Sequence, residues 1–159
     1  MPDMLVDLYA MPKHDGYLEE LREKGIEIKN VMAPNRPQVF DFVKTNFSEG
    51  WAYEAEKGIW KDMPSTFIAV RGKEIIGFAS YDCTGLGYFG PLGVLESERK
   101  NGVGRALTLR CLDAMREKGY GYAIIGWVGP AKFYEKVAGA EVIESSNKYK
   151  RAAIYNNML

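Results

Sequence analysis

Hydrophobic positions along the chain recur with two spacings, and each change of spacing marks an element. Met4 to Met11 alternates loosely up to Pro12, as a short strand does, and Tyr17 to Lys24 places Leu18 and Leu21 on one side of a short helix ended by Gly25. Ile26 to Met32 reads as a second strand, closed by Pro34, and Pro37 opens a helix with Val39, Phe40, Val43 and Phe47 on its apolar side. From Ser48 to Pro64 the pattern is less regular, with large aromatics mixed among carboxylates. Thr66 to Arg71 and Glu74 to Tyr81 then read as strands joined by a hairpin at Gly72-Lys73, and Gly87 to Val94 as another. Successive strands without helices between them predict an antiparallel meander.

Polarity switches abruptly at Glu96. Apolar residues return at helical spacing at Val103, Ala106, Leu107, Cys111 and Ala114, so a helix is expected in Asn101 to Lys118, with Gly119 just beyond its end. Tyr122 to Trp127 is a continuous apolar run that suits a buried strand. A helix joins it to the strand ending at Val94, so the two are expected to lie side by side and parallel. Pro130 opens a further helix, Ala131 to Val137, and Ala140 to Glu144 begins another strand. The tail from Lys148 carries Lys148, Lys150 and Arg151 and no acid. No internal repeat is visible, and the whole chain, 1–159, reads as one mixed α+β domain with 1–25 as an appended strand and helix.

Composition narrows the chemistry. Basic and acidic residues balance at 21 each, so no global field gathers nucleic acid or anionic membrane, and any anion site must be local. Two cysteines and the single His14 make neither a disulfide framework nor a metal-ligand set. The N-terminus lacks a basic segment followed by an apolar run, and no run reaches the roughly 18 apolar residues of a membrane span. A cytoplasmic protein is therefore expected.

The most informative stretch is the turn before the expected helix, Arg99-Lys100-Asn101-Gly102-Val103-Gly104-Arg105. Gly102 and Gly104 allow unusual dihedrals and close approach of a ligand. The first N–H groups of the helix have no internal partner and sit at its positive end, and Arg99, Lys100 and Arg105 add full charges around them. A pyrophosphate suits such a turn. A dinucleotide fingerprint would need glycine where Leu107 stands, and no Walker Gly-Lys-Ser/Thr occurs, which weakens both of those readings. A plain surface turn capping a helix is the structural alternative.

Arg-x-x-Gly-x-Gly after a strand ending at Val94 resembles the acyl-CoA pyrophosphate loop of the GCN5-related N-acetyltransferases. A second segment, Ala131-Lys132-Phe133-Tyr134-Glu135-Lys136 with Gly139 behind it, resembles a later segment of the same family. The resemblance covers roughly Ile26 to Ile143. It implies a mostly antiparallel central sheet with a splayed parallel strand pair and helices on both faces, acetyl-CoA as cofactor, and transfer to an amine of a small molecule or peptide by direct attack in a ternary complex. It also implies that backbone N–H groups at Leu92, Gly93 and Val94 donate to pantetheine and to the carbonyl oxygen, and that Tyr134 lies beside the departing thiolate. Family members often pair, which leaves room for a homodimer. Val128 stands where the family often has asparagine, and the stretch from Tyr134 to Gly139 is one residue longer than the common form.

Several points follow from the chemistry itself. A phenol of pKa near 10 protonates a thiolate of pKa near 8.5 at a cost of only about 2 kcal/mol. A lysine-like amine at pH 7 is neutral only about once in 2,500 molecules, so its proton needs an acceptor. The candidates are Glu49, Glu54, Glu56 and Asp82, or a chain of waters. By resemblance, Ser48 to Pro64 lies where the acceptor wall is built. There Glu49, Trp51, Tyr53, Glu54 and Trp60 would favour a cationic amine, or else the aromatics simply pack a helix onto the core. A CoA-binding sensor without transfer activity, and a nucleotide-binding domain, are the alternatives to an enzyme.

Overall fold

A computed structural model of the chain describes residues 1–148. Its strands are β1 (Met4–Asp7), β2 (Ile26–Asn30), β3 (Thr66–Arg71), β4 (Glu74–Tyr81), β5 (Tyr88–Val94), β6 (Tyr122–Ile125) and β7 (Glu141–Val142). The helices are α1 (Tyr17–Glu23), α2 (Arg36–Asn46), α3 (Glu49–Ile59), α4 (Val103–Glu117), α5 (Ala131–Ala138) and α6 (Glu144–Lys148). All seven strands form one sheet in the order β2-β3-β4-β5-β6-β1-β7. The expected meander is present as β3, β4 and β5, antiparallel throughout, and β5 and β6 are the parallel pair joined through α4.

Strand side chains alternate between two faces, and each face has its own core. On one, Val6, Phe67, Ile76 and Phe89 meet α4 through Leu107, Leu112 and Met115. On the other, Ile68 and Phe78 meet α2 and α3 through Val39, Val43, Ala52, Ala55 and Ile59. The architecture is thus mixed α+β, with helices on both faces of a mostly antiparallel sheet.

Three expectations need correction. Ser48 to Pro64, irregular by pattern, holds the regular helix α3, whose N-terminus is capped by the Ser48 side chain accepting from the Trp51 N–H at 3.2 Å. The pattern misleads because this helix is inverted: it buries Ala52, Ala55 and Gly58 and leaves Tyr53 and Trp60 exposed. A Cβ on Gly58 would collide with the Thr66 hydroxyl, so small residues let α3 lie close to the sheet. The second concerns β1, expected as part of an appended strand and helix over 1–25: it pairs antiparallel with β6 on one side and β7 on the other, inside the sheet. Third, the strand expected over Ala140 to Glu144 is only Glu141–Val142, because the chain turns at Ile143 into α6. The basic tail beyond Lys148 lies outside the described residues. Among the described residues, no helix is long and apolar enough to cross a membrane.

Candidate functional site

β5 and β6 pair through Tyr88 with Ile124 and Phe89 with Ile125, and no further. β6 then ends, while β5 runs on to Val94, so the sheet opens on that side of β5. The Leu95 N–H donates to the Ile76 carbonyl at 2.9 Å, which sets the phase of the β4–β5 ladder. Bonded pairs alternate in an antiparallel ladder, so Gly93 is bonded to Phe78, and the N–H groups of Leu92 and Val94 point away from β4 into the gap. β5 also carries one residue more than β4 between Leu92 and Phe89, a bulge at Gly90 and Pro91 that bends the strand where the opening begins. Gly93 has no room for a side chain: a Cβ there would meet the Phe47 ring at 2.7 Å.

Beyond Val94 lies the turn singled out in the sequence. Lys100 is left-handed at φ 70°, and Gly102, at φ 85°, occupies the N-cap of α4 without a side-chain cap. The Ala106 N–H closes the first helical bond to Gly102, so the N–H groups of Val103, Gly104 and Arg105 are left unpaired by the helix. A Cβ on Gly102 would meet open space, and one on Gly104 would only touch Val94 and Phe133. Arg99 and Lys100 are exposed and Arg105 half-buried, and among the described residues none of the three has an ion pair. The donor set, the open approach and the three cations fit a pyrophosphate.

A second layer holds this turn in place. Arg71 grips Glu98 with two hydrogen bonds, 3.2 Å from Nε and 2.7 Å from Nη2, and Asn101 donates to the same carboxylate at 3.3 Å. The bond from Arg71 is the main reason the Glu98 carboxyl sits below its ordinary value. Lys24 donates to the Asn101 carbonyl at 3.2 Å, while Arg71 Nη1 returns to the Lys24 carbonyl at 2.9 Å. Glu98, an acid close to the turn, is thereby neutralised by Arg71.

Tyr134 comes from α5 on the other side of the opening. It is buried, and its ring meets Phe89 at 6.0 Å and Phe133 at 4.9 Å. Burial, with the Cys111 thiol adding, pushes its phenol well above the ordinary value, so it carries its proton at any physiological pH. Among the described residues no group hydrogen-bonds to its hydroxyl.

The carboxylates proposed as proton acceptors are mostly engaged. Asp82 is buried and accepts from Lys118 Nζ at 2.7 Å, the Gly87 N–H at 2.8 Å and the Tyr120 hydroxyl at 3.1 Å. Burial alone would raise its pKa, but these three donors hold it below the ordinary carboxylate value, and it serves to tie the β4–β5 turn to the end of α4. Glu56 faces Arg36 at 3.5 Å and Glu49 pairs with Lys44 at 2.8 Å. Glu54 accepts from Thr84 at 2.6 Å. Of the aromatics on α3, Trp51 packs against Phe47 and Phe78 while keeping 39% of its surface exposed. Trp60 lies under Arg36 instead.

A cavity of about 570 Å³ lies elsewhere, between the Met11–Glu19 segment and the second half of α4. Its floor is a closed network, with His14 Nε2 2.8 Å from Asp113 and Tyr17 donating to the same carboxylate at 3.2 Å.

The family model described as Acetyltransferase (GNAT) family matches residues 36–140. No curated protein matches the sequence. Among solved structures, a GCN5-related glucosamine N-acetyltransferase region of a fungal multi-domain beta-N-acetylglucosaminidase is 16% identical at a TM-score of 0.72, covering 89% of this chain and 19% of that one. A GCN5-related N-acetyltransferase from Sphaerobacter thermophilus is 19% identical at 0.66, covering 89% and 47%. An aminoglycoside acetyltransferase from an uncultured soil metagenomic sample is 17% identical at 0.52, covering 72% and 88%. The chain therefore spans less than half the length of the first two, and at these identities the likeness is one of fold.

Proposed function

The chain belongs to the GNAT acetyltransferase family, and on that premise we propose that it transfers an acetyl group from acetyl-CoA to an amine of a small molecule or peptide, by direct attack within a ternary complex. The observation that carries this reading is the pairing of two donor sets along one edge. The Leu92 and Val94 N–H groups face the gap where β6 has ended, and the uncapped start of α4 follows a few residues on.

When bound, acetyl-CoA supplies an acyl group activated as a thioester. The chain's own residues supply the rest. Val103, Gly104 and Arg105 offer N–H groups to the diphosphate, with Arg99, Lys100 and Arg105 adding charge, Gly102 leaving the approach open and Asn101 holding the turn to Glu98. The Leu92 and Val94 N–H groups are fixed by the ladder before any substrate arrives, so they stabilise developing negative charge without reorganising. Tyr134 keeps its proton, since burial raises its pKa, and its hydroxyl donates a hydrogen bond to the sulfur as the C–S bond breaks. The attacking amine loses its own proton to a water chain leading out of the opening, since Asp82 is locked and Glu49 and Glu56 are ion-paired. On α3, Glu49, Trp51 and Glu54 are the acceptor-side residues, and they favour a cationic amine. The cytoplasm is the compartment that goes with this reading.

The engaged state of those carboxylates also favours a second reading, a CoA-binding sensor that has kept the loop and lost transfer. Free-thiol release from acetyl-CoA across a panel of amines, run beside a thermal shift with CoA, decides between them. Amine-dependent thiol release is the expected result. A shift with CoA and no turnover on any amine would assign the sensor, and no shift at all would remove both.

A further inference from the structure

The chain leaves β6 through Trp127, which is left-handed at φ 51°. A bulky L-residue adopts that conformation only when its surroundings hold it there. What holds it comes from the other end of the sequence. The Trp127 N–H donates to Asp3 Oδ1 at 2.9 Å, and the Val128 N–H donates to the Pro2 carbonyl at 2.8 Å. The same residue also reaches the far end of the segment: the Asp3 N–H donates to Ser146 Oγ at 2.8 Å, and its carbonyl accepts from the Ile143 N–H at 2.9 Å. Asp3 is only 6% exposed. Three groups of one residue thus fasten both ends of the stretch from Trp127 to Ser146, which holds α5 and β7 and carries Tyr134.

Neighbouring observations place the carboxylate at the opening. Met4, the next residue, pairs with Ile125, the last residue of β6. The Tyr88 phenol, on the strand position that pairs with Ile124, is pushed up first by burial and then by the negative charge of Asp3. Asp3 therefore sits where β5 and β6 part, with one oxygen committed to a backbone N–H.

We propose that Asp3 is a positioning residue for acyl transfer: its carboxylate holds the Trp127–Val128 turn in its left-handed form, and through that turn it sets the start of α5 and the place of Tyr134 beside the opening. The inference rests on the acetyltransferase reading for its effect on turnover, but not for its effect on structure. It uses the backbone of Trp127, not the indole.

The test compares Asp3→Ala, which removes the acceptor, with Asp3→Asn, which keeps an oxygen in its place. Loss of a hydrogen bond to a charged group predicts a drop in kcat of about tenfold or more for Asp3→Ala, with CoA affinity by calorimetry retained. Asp3→Asn should return most of the turnover. Trp127→Gly supplies the second arm, because glycine takes a positive φ unaided, so Asp3→Ala added to Trp127→Gly should cost little further activity. An Asp3→Asn variant as impaired as Asp3→Ala would make the charge itself the active element and overturn the inference. An Asp3→Ala loss equally large in the Trp127→Gly background would overturn it as well. Amide hydrogen exchange over residues 126–138 needs no substrate. It should quicken in Asp3→Ala and not in Asp3→Asn, and unchanged protection in Asp3→Ala sinks the proposal even if no amine is ever acetylated. A wild-type protein that turns over nothing, while Asp3→Ala still shows the quickened exchange, would instead sink the functional reading and leave Asp3 holding the turn.

Discussion

Gly102→Glu isolates the anion site from the fold around it. At φ 85° any L-residue is strained, and the left-handed conformation costs about 1–2 kcal/mol. Nothing in the protein lies within 4 Å of the added Cβ, so no packing is disturbed. A carboxylate at the N-terminus of α4 recovers about 0.3–1 kcal/mol of that strain through the helix dipole, so the free protein should lose less than about 2 kcal/mol. With diphosphate bound, the balance reverses. A charge of −1 roughly 6 Å from one of −2 is repelled by about 1.4 kcal/mol at the dielectric of water and about 5 kcal/mol at an effective value of 20. CoA affinity should therefore fall by at least about tenfold before any steric term is added. In a thermal melt, CoA at a hundred times its Kd stabilises the wild type by about 2.7 kcal/mol, or roughly 5–10 °C in a chain of this size. The variant should melt within a few degrees of the wild type without CoA and show at most about half of that shift with it. Gly102→Ala carries the strain without the charge and should keep most of the shift. If CoA stabilises Gly102→Glu as fully as the wild type, the diphosphate is not bound at the start of α4, and the reasoning fails.

Replacing Tyr134 by Phe removes the proton held in the buried site, and kcat should drop by about tenfold or more while CoA affinity holds; an unchanged turnover number would make Tyr134 a packing residue only. Asp82→Asn removes a carboxylate whose pKa in the folded state lies below its unfolded value, so its contribution is present above the unfolded pKa and lost as pH falls through the folded one. Urea melts should show a loss of about 2 kcal/mol at pH 7 that closes as the pH is lowered below about 4, and a gap of constant size across that range would contradict the assignment. Reversing charge at Glu49 and Glu54 together should raise the Michaelis constant of a cationic acceptor by several-fold and leave kcat nearly alone, on the Coulomb energy of one exposed and one half-buried charge. A Michaelis constant that does not move would free the acceptor from α3.

What the sequence makes legible is what neighbours along the chain decide. The hairpin of β3 and β4 is readable because Gly72-Lys73 sits between two alternating runs, and the start of α4 because glycines precede a run at helical spacing. The opening beside β5 is a different case. Spacing predicts that β5 and β6 are parallel neighbours, but where their pairing stops depends on how far β6 runs before Trp127 turns it away, and only the family resemblance implied a splay. Helix α3 escapes pattern analysis for a related reason. Small residues sit on much of its inner side because Thr66 and Cys83 leave space only for Gly58, and that constraint comes from residues later in the chain.

Left-handed residues make the same point at the site. Among the described residues, three other than glycine take a positive φ: Asp82, Lys100 and Trp127. Each stands at a junction, after β4, before α4 and after β6, and local rules assign such positions to glycine. Two of them are held by partners far away in sequence, Asp82 by Lys118 and Tyr120, and Trp127 by Asp3. Next to the third, the Asn101 carbonyl is held by Lys24. Pattern alone therefore leaves Asp82 readable as a free carboxylate and Asp3 unmarked: a side chain committed to distant partners leaves no periodicity and no motif. The chemistry of the turn could be read because glycine, arginine and helix start are consecutive. The residues that hold the turn and the opening in place are legible only once strands from both ends of the chain lie side by side.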